Sequence, residues 1–496
     1  MPSDIDPRWL LFAAILLWLL VQVRPTGWRP LRKAKPALPV PGGLHIGPVY
    51  LPPDVATQGV IVYGQPGSGK SHFLLSKIRE LARSRQPMVI TTVRRTDYAD
   101  IEKIFREENR LDMLRRSCPS GEWRLNIGRF FSDPQYLPGA SPRLLAHYLS
   151  VATEVMNDST GGKQQDEFWS GFFKEMTLMS ARLLILAQGF VDLSDLYEVI
   201  MSIPGSLKEA ASAKFYRDSF CGQMLELAKK NRRDETDRDY TLVVNFMVIK
   251  AAGVGPRART AVQQMATNTL SGLISDEFYE ALCTDSTITP RAVEEGRLAW
   301  ILDYPLMVWH GSGRVYQFLH IAAMDEMCMA RDPRNIPTVM YKIRDEGAYV
   351  CVASHDVRVQ AVSRAQKLAS IIAVQNLPLL ETQLGGAQKG HQEAIALSSV
   401  HNTRIFFKNS CPETGDYGQK LCGDTKELMI SGGGNGQEST DIRDIALGVK
   451  TGTFSWAEHY EPAVRKERFS KLDVGTCIMH GHDCAVLVDL RETKGR

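Results

Sequence analysis

The stretch GVIVYGQPGSGKSHFLLSKIRELARS, residues 59–84, decides how the rest of this chain is read. Residues 59–63 are a short apolar run of β-branched character, which reads as a strand buried on both faces. It runs directly into Gly64, Gln65, Pro66, Gly67, Ser68, Gly69, Lys70 and Ser71, the complete pattern of a phosphate-binding loop. Each part has a physical task. The glycines let backbone N–H groups turn inward on phosphate, Lys70 reaches the β and γ phosphates, and Ser71 offers a hydroxyl to magnesium. The amphipathic run 72–84 then continues as a helix, so strand, loop and helix occur in the order that gives the pattern its meaning. The expected cofactors are ATP and Mg2+.

Outward from this unit, residues 87–93 (PMVITTV) read as a second strand of the same parallel sheet, ending in Arg94-Arg95. Upstream, residues 35–53 are rich in proline and glycine and read as an extended connector. Before them lies WLLFAAILLWLLVQV, residues 9–23, with no charge and one amide. At about 1.5 Å per residue it spans roughly 22 Å, enough for a short signal-anchor helix held by flanking Trp and Arg at the headgroups. Arg24, Arg29, Arg32, Lys33 and Lys35 follow it, and the positive-inside rule then puts the bulk of the chain in the cytoplasm. The expected location is therefore the bacterial inner membrane, single-pass. Nine cysteines, an odd number, agree with reduced thiols on that side. The net charge of +3 excludes a chain that coats nucleic acid with its whole surface, so any DNA-facing charge is local.

Residues 144–274 are almost wholly helical in pattern, as in FWSGFFKEMTLMSARLLILA (168–187), and read as an all-α insertion. Strand character returns at LAWILDYPL, 298–306. The acidic pair that a nucleotide hydrolase needs then has two candidates, Asp325-Glu326 and Asp345-Glu346. Hydrophobicity of the preceding run favours the first. Topology favours the second, because only about ten residues separate the strand at 298–306 from a strand ending at 324, too few for a helical crossover. With 313–331 as the crossover helix, 337–344 is a strand and Asp345 falls at its carboxyl end, where open parallel sheets bind ligands. Asp345 and Glu346 are accordingly the expected pair, with Asp325 and Glu326 on a helix surface. Lys342 and Arg344 are an ill fit to a strand buried on both faces.

In its ordered motifs the chain resembles the TraG/TraD-like coupling proteins of type IV secretion and conjugation, which are membrane-anchored hexameric P-loop ATPases. The resemblance runs through the N-terminal anchor, GQPGSGKS, DEFW at 166–169, WILDYPL at 300–306, DEGAYV at 345–350, AVQNLP at 373–378, HNTRIFFKN at 401–409 and ETGDYGQKLCG at 413–423. It implies a strand ending in glutamine some thirty residues after the acidic pair, which is Gln375. The family carries a lysine or aspartate after the second strand where this chain has Arg94-Arg95.

Together these readings give an α/β, RecA-like P-loop nucleotide-binding domain, a mostly parallel sheet between helices, with an inserted all-α domain and one N-terminal transmembrane helix. The expected divisions are 1–35 (anchor), 36–143 (first part of the nucleotide domain), 144–274 (helical insertion) and 275–496 (second part). Lys70 and the loop backbone would neutralise the γ-phosphate, Ser71 and Asp345 would hold magnesium, and Glu346 would polarise the attacking water. Gln375 would contact the γ-phosphate or that water, and Arg364 or Arg404 would serve as an arginine finger to a neighbouring subunit.

The implied function is recruitment and translocation of DNA, single-stranded and relaxase-bound, or of protein, into a secretion channel by a homohexamer. The alternatives are a membrane-linked double-stranded DNA translocase and a nucleotide-binding scaffold of the channel. CIMHGHDC at 477–484 reads as a hairpin with side chains alternating between faces, not as a zinc module. Met324 and Met327 read as core, SGGGNGQEST at 431–440 as a loop, and KKNRRDETDRD at 229–239, with five basic and four acidic residues, as a solvated linker.

Overall fold

The computed structural model describes residues 40–159, 167–232, 237–336, 338–433, 453–481 and 484–490. The expected membrane anchor at 9–23 and most of the glycine-rich stretch 431–440 lie outside these residues. Among the described residues no single helix is long and apolar enough to cross a membrane.

The chain enters through a small hairpin, β1 (Leu44–Ile46) and β2 (Val49–Leu51), and reaches β3 (Val60–Tyr63), every residue of which is buried. Helix α1 (Lys70–Arg83) follows the phosphate loop and leads to β4 (Met88–Thr91). Beyond the helix Asp97–Glu107 comes β5 (Leu114–Ser117). Helices then run from α2 (Pro142–Ser159) and α3 (Glu167–Gln188) through to Pro290–Glu295. The chain returns to the sheet at β6 (Ala299–Leu302), crosses over through α4 (Leu306–Met329), and continues into β7 (Met340–Arg344). After α5 (Ala353–Val362) come β8 (Leu368–Val374) and β9 (Thr403–Phe406). A two-stranded ribbon, β10 (Asp424–Gly433) with β11 (Thr453–Pro462), stands apart from the main sheet. β12 (Thr476–Gly481) and β13 (Cys484–Asp489) close the chain.

The main sheet has nine strands in the order β13-β12-β9-β3-β8-β7-β4-β6-β5. The seven from β9 to β5 pair in parallel, and β12 and β13 add an antiparallel edge. β3 and β4 flank a single helix in sequence, yet β8 and β7 lie between them in space. Strands separated by hundreds of residues thus become neighbours, which no local pattern announces.

Alternation of side chains sends the two faces of each central strand into different cores, Ile61, Tyr63, Ile372 and Val374 of β3 and β8 forming a third of their own. Val60, Val62, Ile90, Ile301, Tyr341, Ile343 and Ile371 pack with Phe73, Leu74, Ile78 and Leu81 of α1. On the other face Trp300, Leu302 and Met340 join Tyr148 and Leu149 of α2 and Phe318, Leu319 and Ala322 of α4 in one cluster with the long helical stretch. The helices between β5 and β6 therefore share a core with the sheet. Met324 and Met327 are part of this core.

The expected place of Asp325 is corrected. It is not on a helix surface but fully buried, because α4 is covered on the side that faces β7. Its carboxylate lies 2.8 Å from Lys342 Nζ and 2.8 Å from His355 Nε2. Arg344 is paired in turn with Asp356, at 2.7 Å. The two cations that fit poorly in a two-sided strand thus have internal acids as partners, supplied by α4 and α5.

Candidate nucleotide site

The site is assembled at the carboxyl ends of β3, β7 and β8, the end at which parallel sheets take ligands. Gly64 leaves β3 and its N–H is shared between the carbonyls of Val374 and Gln375, at 3.1 and 3.2 Å. A Cβ at Gly64 would stand 2.6 Å from Ser68 Oγ and 2.9 Å from the Phe407 side chain, so only glycine fits. Gly67 and Gly69 have φ of 76° and 103°, in the left-handed region where a side chain is strained. The loop is pinned from a distant segment. Gln65 N donates to the Lys408 carbonyl, and Gln65 Oε1 accepts from the backbone N–H and hydroxyl of Ser410, at 3.0 and 2.9 Å.

Helix α1 begins at Lys70 with no side-chain cap and no acidic residue in its first turn. Its first N–H groups are left for an anion, and the helix dipole adds to the attraction. Pro66 and Gly67 are open to solvent, while the Ser68 hydroxyl is buried with no hydrogen-bond partner.

The acidic pair meets this helix directly. Ser71 donates its hydroxyl to Asp345 Oδ2 at 2.9 Å, and Lys70 Nζ lies 3.0 Å from Glu346 Oε1 and 3.7 Å from Asp345 Oδ1. Asp345 Oδ1 accepts the N–H of Glu346 at 2.9 Å. Glu346 itself has φ 47° and ψ 45°, a left-handed conformation that costs a non-glycine residue on the order of 1 kcal/mol or more and is concentrated at functional sites. Gly347 permits the sharp exit from the strand, since a Cβ there would stand 2.2 Å from Ile372 Cγ2. The second carboxylate oxygen of Glu346, Oε2, is buried without a partner.

A hydroxyl and a carboxylate 2.9 Å apart are hard oxygen donors of the kind Mg2+ takes from a protein when phosphates and waters complete its octahedron. With the uncapped helix start and the two orphaned oxygens, they fit a magnesium–nucleotide complex.

Gln375 stands at the end of β8, its carbonyl accepting from Gly64 N–H and from Asn409 Nδ2 at 2.8 Å, so its backbone borders the loop. Arg364 and Arg404 are not brought to the loop of their own chain. Both lie toward the amino ends of β8 and β9, the opposite edge of the sheet. Arg364 is exposed and 3.9 Å from Asp54, and Arg404 donates to the carbonyls of Ser398 and Ser399 at the end of the helix Ala387–Ser399.

Three contributors were given no part in the site by the sequence reading. Arg94, after β4, is tethered to Asp97 through its Nε at 2.9 Å; burial opposes its charge, but Asp97, Asp345 and Glu346 outweigh this and raise its pKa. The segment at Lys408, Asn409 and Ser410 and the turn at Gly475 support the loop, Gly475 N–H donating to the Ser68 carbonyl. Such contacts join residues hundreds of positions apart and leave no local signature. The segment 477–484 forms the expected hairpin strands, with residues 482–483 outside the described set.

No model of a known protein family matches the sequence, and no curated protein matches it. Solved structures do. The bacterial conjugative coupling protein TrwBdeltaN70 in its unbound form matches with a TM-score of 0.58 at 13% identity, over 90% of this chain and 88% of that one. TrwB in complex with ADP and Mg2+ matches with a TM-score of 0.56 at 14% identity, over 91% of this chain and 90% of that one. TrwB with the non-hydrolysable GTP analogue GDPNP gives 0.55 at 14% identity over 90% and 89%. Over nine-tenths of its length, then, the chain has the fold of the bacterial conjugative coupling protein TrwB.

Proposed function

We propose that the chain is a membrane-anchored ATPase of a type IV secretion or conjugation apparatus, which uses ATP hydrolysis to recruit DNA or nucleoprotein and drive it into the channel. The observation that carries the reading is the meeting of Ser71 with Asp345 and of Lys70 with Glu346 at the open start of α1. The fold shared with a conjugative coupling protein supports the cargo and the apparatus.

When bound, Mg–ATP supplies the scissile phosphoanhydride and a cation that neutralises its charge. The loop N–H groups and the start of α1 bind the phosphates. Ser71 and Asp345 hold the cation. Lys70, 3.0 Å from Glu346, is placed to turn to the β and γ phosphates. That movement frees both carboxylate oxygens of Glu346 to orient a water and accept its proton. Gln375, beside Gly64, contacts the same water or the γ-phosphate. An arginine of a neighbouring subunit in a ring, Arg364 being the candidate, completes charge neutralisation and makes turnover depend on assembly. The cargo is single-stranded DNA with its bound relaxase, delivered by way of the helical insertion, and residues 9–23 anchor the protein in the inner membrane.

The test is phosphate release from ATP by the full chain in membranes or detergent, with and without single-stranded DNA. Lys70→Ala abolishes release if the assignment is right, and turnover equal to the parent refutes it. A preference for duplex over single-stranded DNA as activator would move the reading to a double-stranded DNA translocase.

A further inference from the structure

β7 carries two kinds of side chain to its two faces. Tyr341 and Ile343 pack into the apolar core with α1, and Asp345 continues their alternation toward Ser71 on α1. Lys342 and Arg344 point to the opposite face, where they are almost wholly buried, at 2% and 1% exposure. Lys342 Nζ is 2.8 Å from Asp325 Oδ1 and 3.9 Å from Asp356 Oδ1. Arg344 Nη1 is 2.7 Å from Asp356, and its Nη2 donates to Ser370 Oγ of β8 at 3.2 Å. His355 Nε2 meets Asp325 at 2.8 Å, and Asp356 is itself fixed by the N–H of Val352 at 2.9 Å.

Each cation of β7 thus has an acid of its own, Lys342 on Asp325 of α4 and Arg344 on Asp356 of α5, and the bearing of the cluster on the nucleotide site is geometric. A strand slipped by one residue exchanges its faces completely. In β7 such a slip would push two cations into the apolar core against Phe73 and Ile78 and strand two acids beneath, while turning Asp345 away from Ser71.

We propose that Lys342 and Arg344, clamped by Asp325 and Asp356, are positioning residues that pin the register of β7 and so aim Asp345 and Glu346 at the nucleotide. The inference rests on reading those two acids as the magnesium-binding and hydrolytic pair. It differs from a stabilising role in what it affects. Loss of stability lowers the active fraction and scales every readout alike, whereas loss of register weakens the cation-dependent part of binding and turnover and spares the loop.

The experiment uses the full chain carrying Asp325→Leu together with Lys342→Met, which removes both charges and leaves neither buried alone. Affinity for a non-hydrolysable ATP analogue is measured with Mg2+ and with EDTA, beside phosphate release from ATP. The expected result is a fall in turnover of roughly 10- to 100-fold, as misplacement by about 1 Å gives. The affinity gained on adding Mg2+ should fall about tenfold, with EDTA affinity within about twofold of the parent. If the double variant does not fold, Asp356→Asn, which keeps an acceptor for Val352 N–H, is read by the same two measurements. Turnover and magnesium-dependent affinity both within about twofold of the parent would overturn the inference. If the parent itself releases no phosphate, the hydrolytic reading fails, and the magnesium-dependent affinity still decides the register.

Discussion

The chain carries the dipeptide Asp-Glu twice within about twenty residues, at 325–326 and at 345–346, and the two copies meet opposite fates. Asp325 sits in the body of a helix, fully buried, with a lysine and a histidine at hydrogen-bonding distance. Asp345 stands at the end of a strand, about one-fifth exposed, facing a serine hydroxyl at the start of a helix. The same residue types thus do different work because of what surrounds them. A carboxylate enclosed with an internal lysine is shut away from any ligand. One at an open rim beside an uncapped helix start stays within a ligand's reach.

The largest effect that separates the two pairs is expected at Glu346. Glu346→Gln keeps the shape and the contact with Lys70 but removes the proton acceptor, and turnover should fall about 10²- to 10⁴-fold while nucleotide affinity persists. Steady-state phosphate release beside binding of a fluorescent nucleotide reads both quantities. Retained turnover would remove Glu346 from the chemistry and reopen the choice between the pairs.

Next in size is stability. Lys342→Met strips buried Asp325 of its lysine and leaves only His355 beside it, and breaking a buried ion pair by removing one member costs on the order of 3–5 kcal/mol. Urea unfolding should register that loss, and the neutral double variant Asp325→Leu with Lys342→Met should regain most of it. A single variant as stable as the double would mean that Asp325 takes up a proton at little cost.

That contrast also marks what the sequence could reveal. The phosphate loop is legible because all its parts are local: a strand of four buried residues, two glycines with left-handed φ, and an amphipathic helix. The place of Asp345 at a strand end was legible through connection length, since a crossover helix was expected at 313–331, and the helix Leu306–Met329 covers most of that stretch. Lys342 and Arg344 were legible only as misfits. Their partners come from two helices on one face of the sheet, and no pattern within β7 names them. For the same reason the insertion of β8 and β7 between β3 and β4, and the support of the loop by Ser410 and Gly475, had no trace in any single segment. The helical run at 144–274 was plain from its period, but not that it would share one core with the sheet.

Acid should distinguish the pairs more gently than mutation. Burial alone would raise the pKa of Asp356, but Arg344 first, then Lys342 and His355, outweigh it and lower the group from 3.8 to about 2. A depressed carboxyl stabilises the fold fully above its unfolded value, and that contribution is lost as pH falls through the folded one. Acid unfolding should therefore steepen between about pH 4 and about pH 2, in part through this group, and the step should shrink in Asp356→Asn. An unchanged acid profile in that variant would show that Asp356 is not held ionised by Arg344.

The smallest effect belongs to Glu326, and its smallness is what makes it informative. Glu326 follows Asp325 on α4, and its Oε1 accepts a hydrogen bond from the hydroxyl of Tyr148 on α2. Tyr148 is buried against Phe131, with ring centroids 4.5 Å apart, and burial first, then Glu326, raises its pKa, so it stays a neutral donor. Glu326→Gln preserves an acceptor at that position and removes only a charge that faces no nucleotide. Turnover should remain within about twofold of the parent, and stability should shift by about 1 kcal/mol or less, the difference between a charged and a neutral acceptor. The comparison with Glu346→Gln is matched in chemistry, since each exchanges a carboxylate for an amide in the second residue of the same dipeptide. A large loss of turnover at Glu326 with little at Glu346 would mean that the hydrophobic run before Asp325, and not the end of β7, marks the hydrolytic pair. Equal losses at both would mean that the hydrogen bond to Tyr148 couples α2 to the site, and that the two pairs do not act apart.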